Sequence, residues 1–120
     1  YALFMKIAIV KYNAGNVESV KNALNRLNVE PVLTDDAEIL RQSDRVIFPG
    51  VGEASSAMRF LRERNLDSAI KNLTQPVLGI CLGMQLLCEF SEENETDCLG
   101  ILPYKVRKFE SENLKIPQMG

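Results

Sequence analysis

Three short apolar runs constrain this chain more than any other feature: Lys6-Ile-Ala-Ile-Val10, Arg45-Val-Ile-Phe48 and Val77-Leu-Gly-Ile80. None alternates strictly between apolar and polar residues, so each reads as a strand buried on both faces, and such strands belong to parallel sheets covered by helices. The intervening stretches agree. After the turn Lys11-Tyr-Asn-Ala-Gly-Asn16, Val20, Leu24 and Leu27 recur at helical spacing beside Ala23, and Asn28 is a natural stop. Residues 29–34 read as a further strand, and Asp35-Asp36 can cap a short helix through Ile39 and Leu40. Pro49-Gly-Val-Gly52 ends the strand at 45–48 abruptly. A helix over 54–64 follows, with Ala57, Met58 and Leu61 on its apolar stripe, then a shorter one over 66–73. Pro76 opens the strand at 77–80, which runs into a helical pattern over 82–90. Polar residues 91–97 read as a loop, and 106–109 as a fifth strand, extended back toward Tyr104.

Strands alternating with helices through short loops argue for βαβ units. The expected fold is therefore an α/β, flavodoxin-like three-layer sandwich with a mostly parallel sheet, incomplete at its C-terminal end, where 115–120 carries apolar and turn residues without a closing element. Met5-Lys6 reads as a natural beginning, so residues 1–4 are expected to be extraneous and 5–120 to be the N-terminal part of a single domain.

Composition narrows the function classes. A chain of 120 residues with 46% apolar and 25% charged side chains can build one packed domain. Its net charge of −2 gives no footprint for nucleic acid or an anionic membrane. The most apolar stretch, 77–88, is too short to span a bilayer and is broken by Gly79, Gly83 and Gln85. The three cysteines, at 81, 88 and 98, form no Cys-x-x-Cys pair, which fits neither a disulfide scaffold nor a zinc ribbon and makes a reducing cytoplasm the expected location. Histidine is absent, so no Cys-His or Ser-His pair and no histidine-ligated metal site can be completed within these residues.

In a parallel sheet of this type, ligands gather at the carboxyl ends of the strands. That rule selects the loops at 11–16, 49–53 and 81–83. Gly79-Ile-Cys-Leu-Gly83 has the Gly-x-nucleophile-x-Gly form of a nucleophile elbow between strand and helix. The flanking glycines would allow close backbone approach, Cys81 would stand at a helix N-terminus that favours thiolate, and the Leu82 amide would point where an oxyanion develops. The alternative is a buried, inert cysteine in a tight junction, the reading that also suits Cys88 and Cys98. The amides of Val51 and Gly52 are a second oxyanion donor or substrate clamp, or simply a turn. Gln85 lies one helical turn after Cys81 and is either a substrate contact or a solvated position. Glu92, Glu93 and Glu95 read as solvated surface, and Asn13 and Asn16 as turn and cap residues.

Together, Gly79-Ile-Cys-Leu-Gly-Met-Gln-Leu-Leu87, Pro49-Gly-Val-Gly52, Gly15-Asn16 and Ile116-Pro-Gln-Met-Gly120 resemble the class I, triad-type glutamine amidotransferases, most closely the glutaminase subunits of imidazole glycerol phosphate synthase in histidine biosynthesis. The resemblance implies that Cys81 attacks the side-chain amide of glutamine, releasing ammonia and leaving a glutamyl thioester that water converts to glutamate. It further implies oxyanion-hole amides at Leu82 and Val51, glutamine contacts at Gly52, Gln85 and Glu93, and a partner-facing surface including Asn13, Asn16 and Met119. The implied partner is a cyclase subunit with a (β/α)8 barrel, forming a heterodimer; no metal or organic cofactor is implied. Family members run to about 200 residues and take their catalytic His and Glu from the last third of the fold, so the chain carries the triad only as its nucleophile. The Lys11-Tyr-Asn-Ala14 turn also departs from the commoner Asp-Tyr-Gly form. Family behaviour implies an unassembled oxyanion hole, with the Leu82 amide facing the space above Cys81 and the Val51 amide turned away. Two other classes share the sandwich: cysteine-elbow redox or stress proteins, and non-catalytic flavodoxin-like binding domains. The first leaves the Pro49–Gly52 loop and Gln85 without a role, and the second expects an acidic or phosphate-binding loop that 11–16 does not supply.

Overall fold

The computed structural model describes residues 5–107. The three apolar runs and the 29–34 segment form strands β1 (Ile7–Val10), β2 (Val32–Thr34), β3 (Arg45–Phe48) and β4 (Val77–Gly79), hydrogen-bonded in the order β2-β1-β3-β4 with every pair parallel. Helices α1 (Val17–Arg26), α2 (Ala37–Gln42), α3 (Ala54–Glu63) and α4 (Leu66–Lys71) make the crossovers, and α5 (Leu82–Leu86) follows β4. The expected α/β sandwich with a parallel sheet is what the chain adopts.

Side chains alternate across the sheet with period two, which divides the strands into two packing surfaces. Ala8, Val10, Val46 and Phe48 face one way, into a core shared with Leu40 of α2, Met58 and Leu61 of α3, Ile70 of α4 and Leu86 of α5. Ile9 and Ile47 point the other way and continue in register into Leu33 and Leu78, giving the row Leu33, Ile9, Ile47, Leu78. The right-handed crossover rule places α1 on this second face, since its connection runs in the opposite direction from the later ones. No residue of α1 is fully buried.

Local signals set most boundaries. Asp36 caps α2, its Oδ1 accepting from the amides of Glu38 (2.8 Å) and Ile39 (3.4 Å). Asn28 adopts φ 64°, the left-handed conformation that ends helices. Asn16 stands at the N-cap of α1 but makes no side-chain capping bond, contrary to expectation.

The largest departures lie after β4. The helix expected over 82–90 stops at Leu86, because amides of the returning chain take its last carbonyls: Leu99 donates to Leu86 (2.9 Å), Ile101 and Leu102 to Leu87, and Gly100 to Cys88. The segment expected as a loop instead holds β5 (Phe90–Ser91), a 3-10 turn (Glu93–Glu95) and β6 (Thr96–Asp97). With β7 (Lys105–Val106) they form a second sheet in the order β6-β5-β7, so the fifth strand of the sequence reading joins this small sheet rather than the parallel one. Lys108 and Phe109, assigned to that strand, lie outside the described residues. Strand β2 is shorter than the strand expected over 29–34 and begins only at Val32.

Candidate active site

The sheet brings the three selected loops together at its carboxyl edge. Cys81 follows β4 at φ 53°, ψ −120°, a conformation that a non-glycine residue adopts at a cost of about 1–3 kcal/mol and that recurs at nucleophile elbows. Its side chain is exposed. The flanking glycines are required by contact. A Cβ on Gly83 would lie 1.8 Å from the Phe48 carbonyl oxygen at the end of β3, and one on Gly79 would lie 2.7 Å from the Cα of Met84. The turn can pass between β3 and α5 only with no side chain at either position. The other two thiols differ: Cys88 is buried and Cys98 half-buried, burial raises both thiols, and Cys98 is pushed up to about 11.

The Pro49–Gly52 loop lies directly against the elbow. Pro49 and Gly50 are buried, whereas Val51 and Gly52 are exposed. Gly52 has φ 107°, and a Cβ there would meet no atom within 4 Å, so backbone conformation rather than space selects glycine. The Val51 amide donates to the carbonyl of Ala14 at 2.6 Å, turned toward the 11–16 loop. The Leu82 amide donates to the carbonyl of Gly50 at 3.1 Å. This corrects the expectation that Leu82 would face the space above the sulfur; the nearest carbonyl of the neighbouring loop takes its hydrogen bond instead. Both bonds belong to one peptide, since the Gly50 carbonyl and the Val51 amide are the two ends of the Gly50–Val51 unit.

The remaining site residues fall in different surroundings. Gln85 is half-buried on α5, its backbone amide bonded to the Cys81 carbonyl at 3.1 Å, and its side chain has no hydrogen bond among the described residues. Glu93 is not merely solvated surface: its Oε1 accepts from the amide of Ala54 at 3.0 Å, where α3 begins. That contact places a carboxylate at a helix N-terminus, a favourable position for negative charge, and ties the 3-10 turn to the end of the Pro49–Gly52 loop. Asn13 is exposed and its Nδ2 donates to the Ser56 carbonyl at 3.3 Å, while Asn16 is exposed beside it. Met119 lies outside the described residues. Sequence reasoning missed Tyr12, whose hydroxyl donates to the Pro49 carbonyl at 2.6 Å in a buried setting. It lies in a loop the strand-end rule selected, but nothing in the local pattern points to a partner beyond β3.

A strained cysteine between two contact-limited glycines thus stands at the carboxyl edge of the sheet, beside a glycine loop whose Val51 amide is bonded to the Ala14 carbonyl. Comparison with known proteins decides the family. The family model "Glutamine amidotransferase class-I" matches residues 8–118. The chain belongs to the class I glutamine amidotransferase family. Among its relatives, the imidazole glycerol phosphate synthase subunit HisH of Bacteroides fragilis (strain YCH46) is 57% identical over 118 residues, covering 97% of this chain and 60% of that protein. The subunit of the same name from Bacteroides thetaiotaomicron is 58% identical over 118 residues with the same coverage. That from Idiomarina loihiensis is 48% identical over 116 residues, covering 97% of this chain and 59% of the relative. The amidotransferase chain thus spans about 60% of the length of the curated relatives it matches. Among its described residues, no helix is long and apolar enough to cross a membrane.

Proposed function

We propose that residues 5–120 are the N-terminal part of a single amidotransferase domain, and that the whole protein is a glutaminase subunit supplying ammonia to a (β/α)8-barrel cyclase in a cytoplasmic heterodimer that makes imidazole glycerol phosphate for histidine biosynthesis. The observation that carries the reading is the backbone of Cys81, held at φ 53° with the Gly50–Val51 peptide against it.

In the proposed reaction the Cys81 sulfur attacks the side-chain amide carbon of glutamine. The carbonyl oxygen gains negative charge, the C–N bond breaks with proton delivery to nitrogen, and ammonia departs from a glutamyl thioester. Water then adds to the thioester, releasing glutamate and the thiol. The chain contains no histidine, so a histidine that moves the proton in this reading comes from outside these residues. Gly52, Gln85 and Glu93 hold glutamine, Gln85 through its free amide and Glu93 through the carboxylate oxygen not spent on Ala54.

In this reading both oxyanion donors are occupied as the chain stands, Leu82 by the Gly50 carbonyl and Val51 by that of Ala14. Rotation of the Gly50–Val51 peptide would withdraw the carbonyl from Leu82 and carry the Val51 amide away from Ala14, so one movement would supply both donors. The rotation changes ψ of Gly50, which a glycine tolerates, together with φ of Val51. The 11–16 loop, with Asn13 and Asn16, would face the cyclase and transmit occupancy of its site, which requires the partner to bind the two loop states with different affinity.

Glutamate release by the full-length subunit, alone and with its cyclase and acceptor substrate, tests the proposal. Low activity alone, strong stimulation in the complex and loss of both in Cys81→Ala are expected; an unstimulated protein, or an active Cys81→Ala, would overturn it.

A further inference from the structure

We propose that Tyr12 is a positioning residue for the oxyanion loop: its hydroxyl clamps the Pro49 carbonyl and confines movement of the loop to the peptide that follows. The inference rests on the amidotransferase reading and adds a residue that it does not use.

The contact is built rather than incidental. Tyr12 is 7% exposed, its ring packs against Phe48 with centroids 5.2 Å apart, and its Oη donates to the Pro49 oxygen at 2.6 Å. Phe48 is itself fully buried as the last residue of β3, so the ring is fixed by the sheet. Burial also raises the phenol far above its ordinary value, which keeps the hydroxyl a protonated donor. Gly50 completes the fit, because a Cβ there would lie 2.1 Å from the Tyr12 oxygen. The hydroxyl therefore occupies the space that any side chain at position 50 would need.

The consequence follows from the order of peptides along the loop. The carbonyl of the Pro49–Gly50 peptide is held by Tyr12. The next peptide carries the two bonds to Leu82 and Ala14. Beyond it stands Gly52 at φ 107° in open space. A loop fixed upstream and free downstream turns about one peptide instead of sampling many backbone states. Oxyanion donors act only when aligned with the developing charge, so a loosened anchor lowers turnover and leaves glutamine binding largely alone.

The test is Tyr12→Phe in the full-length subunit paired with its cyclase, a change that keeps the ring and removes the donor. The expected result is a fall in kcat of about tenfold, less than the roughly 10²- to 10³-fold lost on removing an oxyanion donor outright. KM for glutamine should stay within about twofold, and the rate of Cys81 alkylation should not change, because neither depends on the clamp. A lowered melting temperature with kcat unchanged at temperatures where the variant is folded would show a packing role only and overturn the proposal. If the variant does not fold, the wild-type protein answers: the clamp requires a slowly exchanging Tyr12 hydroxyl proton coupled by NMR to the Pro49 carbonyl carbon, and a rapidly exchanging hydroxyl would overturn it. A wild-type complex that releases no glutamate would fail the amidotransferase reading separately, and the hydroxyl measurement would still decide the clamp.

Discussion

The Leu82 amide donates to the Gly50 carbonyl at 3.1 Å, so the donor next to the nucleophile is occupied by the same peptide whose other end, the Val51 amide, is bound to Ala14. The elbow and the loop hold each other in a closed arrangement.

Closure at one peptide predicts the effect of removing its amide. Val51→Pro in the full-length subunit eliminates the Val51 donor, and kcat in the activated complex should fall by about 10²- to 10³-fold, the usual cost of one oxyanion donor. Alkylation of Cys81 should be unaffected. A stimulated kcat close to wild type would show that Val51 donates nothing to the transition state.

The three thiols should separate by exposure. Brief iodoacetamide treatment near pH 8 followed by peptide mapping should label Cys81 first, since Cys88 and Cys98 are less accessible and burial raises both thiols. Preferential labelling of Cys98 would contradict the elbow.

Cys98 also gives a pH dependence of stability. Its folded value, about 11, lies above the unfolded thiol's, so its contribution is fully present below about pH 8.5 and is lost as pH rises through about 11. Urea midpoints of the full-length protein should therefore decline across that window, and Cys98→Ser should flatten the decline. An unchanged slope in the variant would assign the loss to other groups.

The glycines of the elbow and of the adjoining loop should rank by what a methyl group meets. Gly83→Ala places a Cβ 1.8 Å from the Phe48 carbonyl oxygen, a fixed backbone atom, and should cost about 3 kcal/mol or more. Gly52→Ala meets nothing but must hold φ 107°, and should cost about 1–2 kcal/mol. Denaturant midpoints that reversed this order would refute the contact assignment.

Far from the site, Asp36→Ala removes the two capping bonds of α2 and should lower stability by about 1 kcal/mol, with Asp36→Asn closer to wild type. Equal losses would mean that charge, not hydrogen-bond acceptance, supports the helix start.

Much of this fold was legible because it depends on neighbours in sequence. Apolar runs gave β1, β3 and β4 as parallel strands, although β4 is not buried on both faces as expected, its Leu78 being exposed, and helical spacing placed α1 and α3 close to their observed limits. Gly79 and Gly83 marked the elbow, since a strand-to-helix turn of that kind needs close approach whatever surrounds it. Where the returning chain competes for hydrogen bonds, sequence failed: helical periodicity ran on through 90, but amides from 99–102 ended α5 at Leu86. The same limit applies at the site. The sequence showed which loops reach the carboxyl edge and that Cys81 stands among them. Tertiary structure alone decided that Leu82 binds Gly50, that Val51 binds Ala14 and that Tyr12 holds Pro49. Every residue except proline carries the same backbone donor and every residue the same acceptor, so the choice of partner is not written in side-chain pattern; it is set by which chain segments the packed sheet brings within bonding distance.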